Sequence, residues 1–260
     1  MDTLAQGRRR FLKQLAGGGA GALLLNTPLV QVLASVADES ANPAAVDPAE
    51  HEFAFVVHID RCIGCGKCVE ACGIENHVPE GYTRTWVERY AITRDGVHVD
   101  AIDSSHGAGA GFPPLGEQLE RDALRGFFVP KLCNHCEQAP CVQVCPVGAT
   151  FTAPGGFVLV DPEHCIACGY CIQACPYGAR FMNPESHVAD KCSWCYHRVV
   201  AGRQPACVEV CPTRARLFGD LGKPGGEVAK IYTEGRWSQL KPEMHTESRC
   251  LYPGLPQEVM

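Results

Sequence analysis

Most of the cysteines in this 260-residue chain fall into short, regularly spaced runs. The clearest run extends from Cys165 to Cys175, with gaps of two, two and three residues, and is followed by proline. This is the bacterial spacing in which thiolates hold an iron–sulfur cluster. A cubane is compact, so three thiolates from one tight loop can reach three of its irons, while the fourth cysteine points away to another cluster. One such run therefore predicts a partner run elsewhere.

Three further runs are present. The run that begins at Cys62 has the same spacing but is followed by Gly73 instead of proline. The run from Cys133 has a middle gap of four residues, and the run from Cys192 has a middle gap of eleven. Only Cys250 lies outside the runs. The candidate cluster ligands are Cys62, Cys65, Cys68, Cys72, Cys133, Cys136, Cys141, Cys145, Cys165, Cys168, Cys171, Cys175, Cys192, Cys195, Cys207 and Cys211.

Zinc and disulfides are the other common uses of clustered cysteines. Structural zinc takes four ligands, usually from two C-x-x-C pairs with a long spacer between them. The fourth run alone fits that pattern, but the three-cysteine loops place too many thiolates at one point for a tetrahedral zinc ion. Three cysteines so close in sequence also cannot all pair well as disulfides. The spacing favours iron–sulfur clusters, with a zinc-bound structural module as the weaker alternative.

The composition and motifs restrict the remaining function classes. Hydrophobic residues make up 46% of the chain, while 27 glycines and 19 prolines favour a loop-rich structure stapled by cofactors. A formal net charge of −6 argues against nucleic acid as the main partner. The sequence contains no G-x-S-x-G, no phosphate-binding loop and no G-x-G-x-x-G after a strand. The chain is therefore predicted to conduct electrons and not to be an enzyme itself.

Residues 1–37 are predicted to be an export signal. Arg8 and Arg9 precede a weakly hydrophobic stretch at 15–25, and small residues at 34–37 form a plausible cleavage zone. The paired arginines resemble the twin-arginine signal; an ordinary basic amphipathic helix is the alternative. That resemblance implies export of an already folded, cofactor-loaded protein. We therefore expect the mature chain in the periplasm, peripheral to the inner membrane and without a transmembrane helix.

The rest of the chain is predicted to have an α+β fold. After a linker at 38–50, residues 51–260 form one domain in which a strand, a cysteine loop and a short helix recur. An insertion at 97–126 lacks periodicity and is either a docking element or a disordered loop, with a short helix at 117–125. Strands are predicted at 51–60, 84–93, 127–132, 156–161 and 215–219, and helices at 69–76 and 228–240.

Other residues near the runs are predicted to be supporting groups. His135 is expected to be structural, because the cysteines already complete the ligand count. Lys67, Lys131 and Lys191 could offset the charge of reduced clusters, or be only solvated. Cys250 is predicted to be a free or buried thiol.

The motifs resemble those of a known family. They are similar to the four-cluster, ferredoxin-like beta subunits of molybdopterin oxidoreductases of the dimethyl sulfoxide reductase superfamily, and most similar to the tetrathionate reductase branch. That branch is suggested by I-E-N-H-V-P-E-G-Y-T-R-T from Ile74 and L-K-P-E-M-H-T-E-S from Leu240. The family motifs are R-C-I-G-C-G-K-C-V-E-A-C from Arg61, L-C-N-H-C-E-Q-A-P-C-V-Q-V-C-P-V-G-A-T-F from Leu132, C-I-A-C-G-Y-C-I-Q-A-C-P-Y-G-A-R-F from Cys165, D-K-C-S-W-C-Y-H-R from Asp190 and P-A-C-V-E-V-C-P-T-R-A-R from Pro205.

The resemblance implies two ferredoxin-like modules and four [4Fe–4S] clusters, with ligands exchanged between runs. It also implies electron relay between a membrane quinol-oxidising subunit and a molybdopterin catalytic subunit, such as a tetrathionate, polysulfide or thiosulfate reductase. A stand-alone periplasmic polyferredoxin is the alternative. The implied ligand sets are group A (Cys62, Cys65, Cys68 and Cys211), group B (Cys72, Cys192, Cys195 and Cys207), group C (Cys133, Cys136, Cys141 and Cys175) and group D (Cys145, Cys165, Cys168 and Cys171).

Overall fold

The computed structural model describes residues 45–102 and 111–260. The predicted export signal and residues 38–44 of the linker lie outside the described residues. The elements are short and mixed, as the sequence predicts. They are β1 Phe53–Val57, α1 Lys67–Asn76, β2 Thr85–Ile92, β3 Val97–Ile102, α2 Glu117–Asp122, β4 Arg125–Leu132, α3 Pro140–Gln143, β5 Thr150–Ala153, β6 Phe157–Val160, α4 Tyr170–Gln173, β7 Arg180–Met182, β8 Ala189–Lys191, α5 Tyr196–Val200, α6 Ala206–Glu209, β9 Arg216–Asp220, α7 Glu227–Glu234 and β10 Cys250–Leu251.

The compact unit begins at Ala45, so the last six residues of the predicted linker belong to the fold. Val46 donates its backbone N–H to the Val200 carbonyl at 2.9 Å and packs against the core. Asp47 then caps a 3₁₀ turn by accepting the Ala49 N–H at 3.0 Å. Proline and alanine composition alone did not reveal these contacts.

Within the described residues, the strands form four small sheets instead of one large one. Strand β1 lies between β9, which is antiparallel, and β10, which is parallel. All five residues of β1 are buried. Phe53 and Phe55 face the main core, whereas Ala54 and Val56 face α7. Both faces of β1 are covered, which explains its continuous apolar sequence. The remaining sheets have the orders β3–β2–β4, β5–β6 and β7–β8.

The predicted insertion at 97–126 is largely an extension of a sheet. Residues 97–102 form β3, which pairs with β2 after the Asp95–Gly96 turn. Farther along, Phe112 packs against Phe128 at 5.2 Å between ring centroids, and the Arg89 guanidinium lies 4.8 Å from the Phe112 ring. Residues 103–110, which contain much of the glycine-rich stretch, lie outside the described residues. The described parts are therefore folded onto β2 and β4, and they do not form a disordered loop.

The last predicted helix is shorter than expected. Helix α7 ends at Glu234, because Gly235 adopts a left-handed conformation with φ of 65° and terminates it. The sequence pattern instead predicts continuation to Leu240. Within residues 45–102 and 111–260, no helix combines the length and apolar character that a membrane crossing requires.

Helix contacts bring the cysteine runs together in pairs. Helix α1, in the first run, packs against α6, in the fourth run. Helices α3 and α4, in the second and third runs, pack against each other. The first and fourth runs thus belong to one helix-paired unit, and the second and third runs to another.

Candidate metal centres

All four runs begin with the same backbone turn. In each C-x-x-C segment the residue just before the second cysteine has positive φ, a conformation that is costly for residues other than glycine. In the first run this residue is Gly64, and a Cβ there would collide with the Phe128 ring. The four residues and their φ angles are Gly64 at 67°, His135 at 43°, Ala167 at 57° and Trp194 at 52°. Repetition of a strained turn at every run indicates a shared structural requirement.

The residue after the last cysteine decides where each helix ends. Helices α3, α4 and α6 have only four residues each, and they end just before a Cys-Pro pair. Proline disfavours helical conformation in the residue before it. Cys72 is followed by Gly73, and α1 continues past it to Asn76. This departure from the usual run therefore extends a helix and adds side chains near group B.

Asn76 is the most direct of these added contacts. Its Nδ2 donates to the Cys72 carbonyl at 3.0 Å and approaches the sulfur atoms of Cys72 at 3.5 Å and Cys195 at 3.8 Å. The Arg84 guanidinium holds the amide oxygen of Asn76 at 3.1 Å. Asn76 belongs to the I-E-N segment that suggested the tetrathionate reductase branch.

Three cavities bring together cysteines from different runs. Each has the four members of one implied ligand set in its wall. The cysteines lining them are Cys62, Cys65, Cys68 and Cys211; Cys133, Cys136, Cys141 and Cys175; and Cys72, Cys192, Cys195 and Cys207. These are groups A, C and B.

The fourth set, group D, lies beside group C. Cys145 follows α3, and Cys171 lies within α4, which packs against α3. Cys171 is buried in one small core with Cys136 and Cys141 of group C, and the half-buried Cys165 packs against it. Cys168 is the only exposed cysteine in the part of the chain that the structure describes.

The donor sets of the three cavities fit a [4Fe–4S] cluster. Each cavity has four thiols in its wall, and four cysteine thiolates are the ligands that a cubane takes. Among residues 45–102 and 111–260, no group of three candidate side chains is arranged around a single metal ion.

Burial differs strongly among the thiols. All four cysteines of group B are buried, and desolvation raises the pKa of Cys192 to about 12 and that of Cys72 well above its ordinary value. At Cys145, in group D, desolvation raises the pKa, but several backbone N–H groups, led by that of Thr150 at 3.4 Å, together outweigh it, so the pKa is lowered. Bound iron would supply the positive charge that keeps the buried thiols ionised.

Trp194 and His135 connect groups B and C. Their rings stack at 4.0 Å between centroids. Trp194 lines the group B cavity, and its Nε1 donates to the carbonyl of Cys133 at 3.2 Å. His135 lines the group C cavity, and its Nε2 lies 3.0 Å from the carbonyl of Cys192. Trp194, in the fourth run, is thus hydrogen-bonded to the first cysteine of the second run, and His135, in the second run, to the first cysteine of the fourth.

Both ring nitrogens of His135 have backbone hydrogen-bond partners. Its Nδ1 accepts the Val158 N–H at 3.0 Å, so its Nε2 carries the proton that it donates to the Cys192 carbonyl. Complete burial also lowers the pKa of His135 well below its ordinary value, which keeps the ring neutral. The structural role predicted for His135 agrees with these contacts.

Cys250 and two of the lysines near the cysteine runs differ in burial and in their contacts. Cys250 is fully buried, and its thiol lies 3.7 Å from the Cys133 carbonyl, as a structural thiol would. Lys191 is buried and donates to the carbonyl of Cys192 at 2.8 Å, whereas Lys131 pairs with Glu88 at 2.7 Å. Of the two, Lys191 is thus the better placed to act on a cluster.

The carboxyl-terminal segment covers group C. The backbone N–H of Gln138 donates to the Thr246 carbonyl at 3.0 Å. The Thr246 hydroxyl also contacts the Tyr177 hydroxyl at 2.5 Å. Thr246 belongs to the L-K-P-E-M-H-T-E-S segment, whose position over a cysteine cavity the sequence did not reveal.

Two buried arginines beside the cavities were not predicted. Arg180 lines the group C cavity and Arg216 lines the group A cavity. Both follow the pattern Cys-Pro-x-x-Ala-Arg, at Cys175 and at Cys211. The repeated pattern can be seen in the sequence and lies inside two of the family motifs.

Comparisons with known proteins agree with this geometry. Two models described as 4Fe-4S dicluster domains match residues 61–149 and 124–221, which implies four [4Fe–4S] clusters. The B subunit of tetrathionate reductase from Salmonella typhimurium is 38% identical over 250 residues, which cover 95% of this chain and 88% of that protein.

Two further relatives carry related names. The B subunit of tetrathionate reductase from Archaeoglobus fulgidus is 45% identical over 190 residues, covering 70% of this chain and 77% of the relative. The thiosulfate reductase electron transfer subunit PhsB of Salmonella typhi is 43% identical over 162 residues, which cover 62% of this chain and 72% of that subunit. The chain therefore belongs to the family of four-cluster, ferredoxin-like electron-transfer subunits of dimethyl sulfoxide reductase-superfamily oxidoreductases, which are not catalytic subunits.

Proposed function

We propose that this chain relays single electrons between a membrane quinol-oxidising subunit and a molybdopterin catalytic subunit that reduces tetrathionate or a related sulfur compound. Groups A to D hold one [4Fe–4S] cluster each, and the chain itself performs no substrate chemistry. The names of the relatives support the class of catalytic subunit. The arrangement of the four cysteine groups carries the proposal.

The groups follow one another in a single order. Groups A and B share helix α1, which carries Cys68 of group A and Cys72 of group B. The stack of Trp194 on His135 joins group B to group C. Cys141 of group C shares a small core with group D. These contacts support the sequence A, B, C, D.

The two ends of this order are the more exposed groups. Group B is entirely buried, and in group C only Cys175 is even half-buried. In group A three cysteines are half-buried, and in group D Cys168 is exposed. Electrons that enter at one surface and leave at another need accessible groups at the ends and protected groups between them. Groups A and D are therefore the proposed contacts with the two partner subunits.

The first test is the iron content of the chain after anaerobic purification, together with EPR spectra of the reduced protein. We expect about sixteen iron atoms per chain and interacting S = 1/2 signals, as four cubanes require. A Cys168→Ala variant serves as a matched control and should lose about four iron atoms. About twelve iron atoms or fewer in the unmodified chain, or zinc in their place, would contradict the assignment.

The second test concerns the partners. The affinity-tagged chain is expressed with the neighbouring reductase subunits and purified from the membrane fraction. We expect a molybdopterin subunit to co-purify, and tetrathionate to reoxidise the reduced clusters only when that subunit is present. Recovery of the chain alone, with clusters that a catalytic subunit does not reoxidise, would favour a stand-alone polyferredoxin.

The proposed location rests on the sequence of residues 1–37. Replacing Arg8 and Arg9 together with lysine should retain the loaded chain in the cytoplasm, because the paired arginines are the recognised feature of the signal. Fractionation of cells with an antibody against the chain measures this. A doubly substituted chain that still reaches the periplasm would contradict export by this route.

A further inference from the structure

Two buried arginines occupy equivalent positions in the two units of the fold. Arg180 begins β7 five residues after Cys175, and Arg216 begins β9 five residues after Cys211. Their exposed fractions are only 5% and 1%. A guanidinium group stays protonated at ordinary pH. Each unit therefore holds a permanent positive charge in its interior.

Threonine hydroxyls hold both guanidinium groups in place. Arg180 Nη1 donates to Thr150 Oγ1 at 3.3 Å, and Arg216 Nη2 donates to Thr85 Oγ1 at 2.8 Å. Thr85 is itself fixed, because its hydroxyl donates to the Lys131 carbonyl at 2.6 Å. The same pair of side-chain types thus recurs in both units.

The rest of each guanidinium faces thiols. Arg180 Nη2 lies 3.0 Å from the sulfur of Cys141 in group C. Arg216 lines the group A cavity, and within the described residues its Nε and Nη1 atoms have no hydrogen-bond acceptor. Leaving a buried donor unsatisfied costs about 1–3 kcal/mol. Two such donors at the wall of a cysteine cavity indicate acceptors that belong to the cluster.

Carboxylates do not account for the two charges. Neither arginine forms an ion pair with a carboxylate in residues 45–102 and 111–260. The groups that face the two guanidinium groups are instead thiols: Arg180 contacts the sulfur of Cys141, and Arg216 lies in the wall of the group A cavity. Sulfur is therefore the candidate counter-charge for both arginines.

We propose that Arg216 and Arg180 set reduction potentials, each raising that of the nearest cluster, at group A and group C respectively. This inference rests on the proposed electron relay. Reduction adds one negative charge to a cluster, and a fixed positive charge with N–H donors to sulfur favours that reduced state. Neither arginine gains or loses a proton.

The test uses Arg216→Gln and Arg180→Gln in the full, cluster-loaded chain. EPR-monitored redox titration measures all four midpoint potentials, and the iron content is measured in parallel. Arg216→Gln should lower the midpoint potential of the group A cluster, and Arg180→Gln that of the group C cluster, so each variant should lower a different one of the four potentials. At the wild-type midpoint, the ratio of reduced to oxidised cluster should fall at least about tenfold, which is 59 mV for a one-electron couple. The double variant should lower both.

The control is Arg214→Gln. Arg214 lies two residues from Arg216, but its side chain is 68% exposed and pairs with Glu227. Its replacement should leave all four midpoints unchanged. Full iron content with four unchanged midpoints in Arg216→Gln and Arg180→Gln would overturn the proposal. A shift of the same cluster by both variants would also overturn it.

Two milder variants keep the proposal testable if glutamine at either position causes iron loss. Arg216→Lys keeps the charge but replaces the five N–H donors of the planar guanidinium group with the three of an ammonium group. Thr85→Val keeps the arginine but removes the hydroxyl that orients it. Each should lower the same midpoint by less than glutamine would. Unchanged midpoints in both, at full iron content, would refute the role of Arg216. An unmodified chain without about sixteen iron atoms would instead refute the electron relay itself.

Discussion

Group B and group D present the same four thiols in opposite surroundings. Group B lies inside the protein, with Trp194 packed against it and Asn76 donating to its sulfur atoms. Group D lies at the surface, where Cys168 is exposed and Ile166 and Tyr170 beside it are about 60% exposed. The group B site is thus part of the protein core, whereas the group D site lies at its edge. Substitutions at group B should therefore reduce stability and the yield of folded protein more than substitutions at group D.

Loss of one ligand gives the largest expected difference. Cys207→Ala removes a thiol from the centre of the core, so we expect loss of the group B cluster and little soluble folded protein. Cys168→Ala should yield folded protein with about twelve of the sixteen iron atoms. Soluble yield and iron per chain measure both outcomes. A well-folded Cys207→Ala chain that lacks only about four iron atoms would contradict the distinction.

Aromatic residues beside the two groups provide the second comparison. Trp194→Ala removes a fully buried side chain and should cost about 3–5 kcal/mol. For a chain of this size that corresponds to a fall of roughly 6–20 °C in the temperature at which the clusters are lost. Tyr170→Ala, at the exposed group, should change stability by at most about 0.5 kcal/mol. Visible absorbance during heating measures both, and equal shifts would contradict the assignment of group B to the core.

Solvent access gives a third comparison. An anionic oxidant such as ferricyanide should bleach group D first, because only that group has an exposed cysteine among the described residues. We expect a fast phase of about one quarter of the visible absorbance, since one cluster of four reacts. Cys168→Ala should abolish that phase. A single slow phase in the unmodified chain would show that the exposed thiol gives no access to the cluster.

The parts of the fold that sequence analysis identified are those with local signals. Cysteine spacing defined the four runs, the apolar segment F-A-F-V-V marked β1, and the Asp95–Gly96 turn was recognised. β3 follows that turn as V-H-V-D-A-I, a short alternation that was overlooked. Strands such as β7, β8 and β10 have only two or three residues. Their periodicity is too short to detect, because pairing with distant segments determines them.

The surroundings of the cysteine groups were harder to predict than the groups themselves. Arg180, Arg216 and Thr246 acquire their roles from contacts with residues far away in sequence, such as Thr85 for Arg216. Lysines close to cysteines in the sequence were considered instead, yet Lys131 is paired with Glu88. Ligand spacing is a local property, whereas the groups that surround a cluster are assembled by the tertiary fold. The cluster ligands can therefore be proposed from sequence before the residues that tune them.

The smallest expected effect concerns an ion pair that braces group B. Glu75, on α1, accepts from Arg198 Nη1 at 2.6 Å and lies 2.8 Å from His197 Nε2. The hydrogen bond from His197, together with the Arg198 guanidinium, lowers the pKa of Glu75. Glu75→Gln should cost about 1 kcal/mol, since one partner is exposed. Glu209→Gln, which removes the more exposed partner of Arg198, is the matched control and should cost less.

The pH dependence of this effect has a definite sign. A carboxyl group whose pKa is lower in the folded chain contributes stability above its unfolded pKa, which is about 4.3, and loses it as the pH falls through the folded value. The deficit of Glu75→Gln should therefore be present at about pH 7 and shrink only below about pH 4.3. The temperature of cluster loss for variant and parent, compared down to the lowest pH at which the clusters persist, measures it. A deficit that vanished well above about pH 4.3 would indicate that Glu75 is not ionised in its pair with Arg198.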